Sequence, residues 1–453
     1  MKKLFLMTMA ALVVLTTVAE PTVSNVKLRQ CWPWNTNVIV TFTLSGAERS
    51  QQVKLSFTSE GRALDVPETA ILGQRLGLGN GEHRLVWNPL QGDFAKRGLL
   101  PNVEVTVTPS EMPLYKIVDL SVSKGEIEYL TETQIRTGAY GTWEETTVGS
   151  AKTVIWTGVT NDVYKTQKMA FRYVPATTSS DWQAAKGRDT FFMGADASLS
   201  GDSPVYHVAR AQPRGEVKLT SGYWLGVFEV TQRQWQYVKG GAPGSYFLAD
   251  NAMRPVESSA SQGPGPTGII NVRGRSFDGY NWPKNGHKVD PNSFMGKFIS
   301  RTGVAGADLP TESQWDYAAR AGIDDGTTVR YGAAAEVARF GCSSDLARET
   351  PAAEGGTAIV GSFAPNAWGL YDMLGNVTEI VLAGWGSSLG ETFYKAADFG
   401  TDPVGAAYGD HYFVSRGGSW LDVESKTTFF FRMGDSFYGD KFTGIRVCLP
   451  GNL

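Results

Sequence analysis

Arg416-Gly417-Gly418-Ser419-Trp420, followed by Leu421-Asp422-Val423-Glu424-Ser425-Lys426-Thr427, is the stretch on which the fold of this chain turns, and it contains no cysteine. Ahead of it stand, in order, Gly226-Val227-Phe228-Glu229-Val230-Thr231, then Leu309-Pro310-Thr311-Glu312-Ser313-Gln314-Trp315 running on to Gly322, then Pro365-Asn366-Ala367-Trp368-Gly369-Leu370-Tyr371-Asp372 running on to Glu379. Gly444-Ile445-Arg446-Val447 follows near the end. The ordered set is far more specific than any one of its members. Thr311, preceded by Pro310 and followed three places later by Gln314, is a capping box and predicts a helix start. Trp315, Ala318 and Ala319 then share one face, and Gly322 is placed to end the helix. Thr231 likewise caps a helix whose buried stripe is Trp235 and Val238. Glu229 and Glu312 read as buried or capping carboxylates that hold loops.

The order and wording of these segments resemble the formylglycine-generating enzyme family, also called the sulfatase-modifying factor family. The resemblance implies an α+β fold of irregular, C-type-lectin-like topology over residues 169–453. In the oxidase members two cysteines just after the Arg-Gly-Gly-Ser element bind copper, because soft thiolates select Cu(I). By count those places are Asp422 and Thr427 here, and neither can act as a thiolate. Cys31, Cys342 and Cys448 match neither position. A second branch holds iron with three histidines, whereas His83, His207, His287 and His411 are widely scattered. No copper or iron site is recognised.

Together these readings predict a catalytically silent member that binds a glycan, peptide or protein through the family cleft, with Arg416, Ser419, Trp420, Asp422 and Glu424 as its candidate residues. The competing readings are an oxidase of sulfatase cysteines and new chemistry built on Asp422 and Glu424. Asp422 at the base of a cleft beside Ser419 and a second acid would favour catalysis; pairing with Arg416 or Arg432 would favour structure. Phe429, Phe430, Phe431, Phe437, Tyr438 and Phe442 fall in the region that lines the family cleft, although the three consecutive phenylalanines also suit a core strand.

Asp372, Gly375, Val377 and Glu379, at i, i+3, i+5 and i+7, match the family's calcium loop. The resemblance assigns side-chain oxygens to the outer two and backbone carbonyls to the inner two, a donor set suited to a hard cation. The same Asp and Glu could instead cap loop amides. Asn376 is expected to serve its own turn.

The chain has 453 residues, enough for two domains. Residues 1–19, with Met1-Lys2-Lys3, an apolar middle and Thr17-Val18-Ala19 before Glu20, read as a secretory signal peptide. Export to the periplasm, cell surface or medium is therefore expected, and no later apolar run is long enough to span a bilayer. Three cysteines allow at most one disulfide; Cys342 and Cys448 could pair or remain buried thiols. A net charge of −3 offers no basic footprint for nucleic acid. Residues 20–110 alternate in period two, as in Val38-Ile39-Val40-Thr41-Phe42-Thr43-Leu44, and predict an immunoglobulin-like β-sandwich. Cys31-Trp32-Pro33-Trp34-Asn35 suits core and corner packing better than a sugar platform. Residues 111–168 read as a connector.

Overall fold

Period-two alternation becomes a buried face in the strands Val38–Ser45 and Gln51–Ser59, where every second side chain is enclosed. The structure is a computed structural model. It describes residues 21–451 apart from 48–50, 67–69, 74, 76, 90–98, 125–126, 138–142, 149–150, 157, 200–207, 242, 248–251, 259–267, 275–287, 343–355, 386–393, 395, 406–411 and 437–438. The signal-peptide reading and His207, His287, His411, Phe437 and Tyr438 thus lie outside the described residues. The chain divides into two units between Met112 and Pro113.

In the first unit one antiparallel sheet runs in the order Thr22–Gln30, Val38–Ser45, Gly81–Trp87, Ile71–Leu72. A second runs Arg62–Leu64, Gln51–Ser59, Val103–Glu111. Both feed one apolar core that includes Val40, Phe42, Val53, Phe57, Leu85, Trp87 and Val107. Phe57 meets Trp87 with ring centroids 4.7 Å apart. Side chains of this size contribute about 1.5–3 kcal/mol each when fully buried.

The second unit begins earlier than the motifs suggest. Within the expected connector, Tyr115–Asp119 pairs with Lys168–Val174, and Glu128–Leu130 pairs with Tyr115–Asp119. These strands complete a five-stranded sheet with Tyr223–Gly226 and Cys448–Pro450. Tyr115, Lys116, Ile117 and Val118 are consecutively buried, so this inner strand has no alternation to read.

The expected capping box at Thr311 forms, and the expected cap at Thr231 is a capping box too. Thr311 Oγ1 accepts from Gln314 N at 3.2 Å while Gln314 Oε1 accepts from Thr311 N at 2.9 Å, opening the helix Glu312–Arg320. Ala321, in the left-handed region at φ 45°, ends it one residue ahead of Gly322. Thr231 and Gln234 open Gln232–Lys239 in the same way, and Trp235 stacks on Phe294 of the helix Phe294–Thr302 at 4.8 Å. A further sheet runs Arg432–Ser436, Tyr412–Arg416, Thr378–Gly384, Thr443–Gly444. Its strand Thr378–Gly384 is buried throughout and places Glu379 opposite Arg416. Phe429, Phe430 and Phe431 are all buried, in a turn ahead of Arg432–Ser436 and not in a strand.

Candidate functional site

The turn after Arg416 exists because its two glycines do. Gly417 and Gly418 sit at φ 92° and 77°, and a Cβ on Gly418 would lie 2.7 Å from Lys426 O. The chain therefore folds back tightly on the Leu421–Thr427 segment. Trp420 is buried, donates from Nε1 to Lys441 O at 2.9 Å and meets Phe247 edge-on at 5.0 Å. Asp422 Oδ2 accepts from Ser419 N at 3.0 Å and Ser419 Oγ at 2.7 Å, and its Oδ1 accepts from Lys426 Nζ at 2.9 Å. Thr427 is buried and donates from Oγ1 to Glu424 O at 2.8 Å. Glu424 is exposed and pairs with Arg330 at 3.2 Å.

Of the five cleft candidates, then, Arg416, Ser419 and Trp420 are enclosed by the fold, and only Asp422 and Glu424 reach solvent. Asp422 pairs with neither Arg416 nor Arg432; its oxygens close its own loop. The surface presented here is Leu421–Lys426, with Leu421 and Val423 exposed.

Arg416 belongs to a buried network. Its guanidinium donates to Glu312 Oε1 at 3.0 Å, Tyr394 Oη at 2.8 Å, Phe429 O at 2.6 Å and Asp316 Oδ1. Arg432 donates to the same Glu312, at 2.7 Å from Nη2 to Oε2 and from Nε to Oε1. Burial by itself would raise the Glu312 carboxyl, yet Arg432 and Arg416 outweigh it and hold the group below its ordinary value. Glu312 is buried as expected, but it ties the helix Glu312–Arg320 to the strands that carry Arg416 and Arg432, not to a loop.

A second network surrounds the expected calcium loop. Arg446 donates to Glu379 Oε1 from Nη2 at 2.6 Å and from Nε at 3.0 Å, and from Nη1 to the carbonyls of Gly226 and Val227 at 2.9 Å. Trp315 Nε1 donates to Glu379 Oε2 at 2.8 Å. Asp372, at φ 53°, accepts from Gly361 N at 2.6 Å. Glu229 accepts from Val377 N at 3.1 Å and from Asn376 Nδ2 at 2.6 Å. Asn376 thereby ties its loop to a residue far away in sequence, and through Oδ1 to Ala358 N at 2.8 Å, instead of serving its own turn. Burial pushes Asp372 up to about 6 and, with Asp372 and Glu379 nearby, pushes Glu229 well up.

The fit to calcium is partial. Asp372 and the carbonyls of Gly375 and Val377 are hard oxygen donors, whereas both oxygens of Glu379 already serve Arg446 and Trp315. Among the described residues no group of three or more His, Cys, Asp and Glu side chains is placed to hold a metal ion. Cys31, Cys342 and Cys448 are free thiols. Cys342 lies beside the turn, its N–H donating to Trp420 O at 2.9 Å; burial raises both its thiol and, further, that of Cys448. Sequence reasoning missed Glu257, which is buried, holds the N–H groups of Tyr246 and Phe247 at 2.9 Å and is pushed up to about 8 by burial. It stands in no motif, so no sequence signal marks it.

Mixed short sheets, two capped helices and loops tied by buried carboxylate and guanidinium groups around a Gly-Gly turn define a formylglycine-generating-enzyme-type domain. The chain belongs to the sulfatase-modifying factor enzyme 1-like domain family, whose model matches residues 187–449. It is 38% identical over 252 residues to the formylglycine-generating enzyme of Streptomyces coelicolor, covering 52% of this chain and 76% of that one. To the formylglycine-generating enzyme of Thermomonospora curvata it is 36% identical over 129 residues, 27% of this chain and 41% of that one, so this match spans less than half of that relative. Among solved structures it is similar to Treponema denticola variable protein 1, at 22% identity and a TM-score of 0.41 over 68% of this chain and 98% of that one. No helix among the described residues is long and apolar enough to cross a membrane.

Proposed function

We propose that this chain is a non-catalytic member of its family that binds a glycan, peptide or protein ligand through the surface around Leu421–Lys426. One observation carries the reading: the two places where the resemblance puts copper-binding thiolates hold Asp422 and Thr427, and both side chains are spent on closing the loop. A carboxylate tied to a lysine and a buried hydroxyl cannot supply the soft donors that Cu(I) selects. Incubated with Cu(I), oxygen and a cysteine peptide bearing a sulfatase motif, the protein leaves the peptide mass unchanged while an active family enzyme converts it. Aldehyde formation would overturn the proposal.

Calcium at Asp372, Gly375, Val377 and Glu379 is part of the same reading. It is supported by an excess of buried acid: among the described residues, Glu379 accepts from the guanidinium of Arg446, whereas Asp372 and Glu229 accept from backbone N–H groups and the Asn376 amide. Calcium at about a hundred times its dissociation constant adds about 2.7 kcal/mol, which raises the melting temperature by several degrees over a chelator control. Asp372→Asn abolishes that rise. Equal melting with calcium and with chelator, and no heat on titration, would remove the site.

We also read the first unit as immunoglobulin-like. Its first sheet, in the order first, second, sixth and fifth strand, supports this, since the constant-type sandwich joins its strands A, B, E and D in one sheet; the second sheet differs from the constant type's C, F and G in pairing the fourth strand with the third. A solved structure with another strand order would contradict it.

A further inference from the structure

We propose that the hairpin tip Cys31–Asn37 is a carbohydrate-stacking site that takes a neutral glycan on the indole faces of Trp32 and Trp34. Corner packing is not what these side chains do: Trp34 is 86% exposed and Trp32 47%. The tip is nevertheless built. Trp34 N and Asn35 N donate to Cys31 O at 3.0 and 3.2 Å, Cys31 N donates to Asn37 O at 2.8 Å, and Asn37 N donates to Asn35 Oδ1 at 2.9 Å. Behind it, the amide of Gln30 clamps Leu100, giving 2.7 Å to its carbonyl and receiving its N–H at 2.9 Å. The backbone under the two rings is therefore held in place, and each indole has only two side-chain torsions to order, which keeps the entropic cost of binding low.

Three properties select the ligand. The run Cys31-Trp32-Pro33-Trp34-Asn35-Thr36-Asn37 carries no charge, so nothing on it recognises a phosphate, an acidic sugar or an anionic lipid. Each indole can cover about 150–250 Å², and two fall short of the roughly 800 Å² per partner of a stable protein interface. Finally, exposed indoles leave the edge of a ligand stacked on them in water, which suits a ring with apolar faces and a hydroxylated rim. A pyranose has that shape, and neighbouring amides such as that of exposed Asn35 suit its hydroxyls.

The test uses the full chain and immobilised neutral hexasaccharides of glucose, mannose, xylose and N-acetylglucosamine. At least one is retained; Trp34→Ala weakens retention about tenfold, the equivalent of about 1.4 kcal/mol; Trp34→Phe restores part of it; and Trp32→Ala with Trp34→Ala abolishes it. Both positions are on the surface, so melting temperatures stay at the wild-type value and a folding defect is separable. The proposal is overturned if no hexasaccharide is retained, or if the double variant binds like the wild type. Trp34-dependent binding to phosphatidylcholine vesicles without glycan retention would likewise overturn it and assign the tip to a membrane surface.

Discussion

Arg446→Ala yields little or no folded second unit. The guanidinium of Arg446 is fully buried and is engaged with Glu379, with the carbonyls of Gly226 and Val227, and with Tyr371 O at 2.8 Å. Removing it strands a buried carboxylate, at a cost of about 3–5 kcal/mol, and takes a donor from the carbonyls of Gly226 and Tyr371, at about 1–3 kcal/mol for each that is left unpaired and that water cannot reach, while Val227 O still accepts from Tyr371 N. A domain has about 5–15 kcal/mol in total, so the sum reaches the scale of the whole. Arg446→Lys recovers little, because an ammonium on one flexible stem cannot replace a planar fork that meets several acceptors at once. Circular dichroism and calorimetric melting of both variants check this. A melting temperature within a few degrees of wild type for Arg446→Ala would refute it.

Glu312→Gln is the second large effect. One carboxylate there faces two buried guanidinium groups, Arg416 and Arg432, and a hydroxyl, Tyr394 Oη, at 3.2 Å. The amide has the same shape, but it is neutral and turns a donor toward donors. A loss of about 3–5 kcal/mol follows from leaving the arginines undercompensated, read as a fall in denaturant midpoint at pH 7. The pH dependence supplies an independent readout. The carboxyl of Glu312 is held below its ordinary value in the fold, so its contribution is fully present above the unfolded value of about 4.3 and is lost as pH falls through the lower folded one. The variant lacks that part of the acid limb, and its stability difference from wild type shrinks as the pH falls below about 4. A difference that stays constant from pH 7 to pH 3 would show that Glu312 acts through shape and not through charge.

Helix starts were legible because they depend on near neighbours: Thr311 finds Gln314 within one turn, and Thr231 finds Gln234. Alternation over Val38–Ser45 was legible for the same reason. Tyr115–Asp119 was not, since a strand buried on both faces loses the period that marks strands. The candidate site was legible in what it lacks, the two cysteines, but not in what its residues do. Arg416 and Trp420 looked like cleft residues; Arg416 is a core clamp and Trp420 is sealed against Phe247. Trp34 read as packing and stands in solvent.

The sequence by itself determined the family, through its ordered motifs, and the absence of the thiol pair, since both are statements about which residue stands where. Only the tertiary structure decided the partners: Glu379 with Arg446, 67 residues away, Glu229 with Asn376, 147 away, and Glu312 with Arg416 and Arg432, 104 and 120 away. The reason is physical. A buried carboxylate is tolerable only where a counter-charge or hydrogen-bond donors meet it, and the fold, not the spacing along the chain, brings them together.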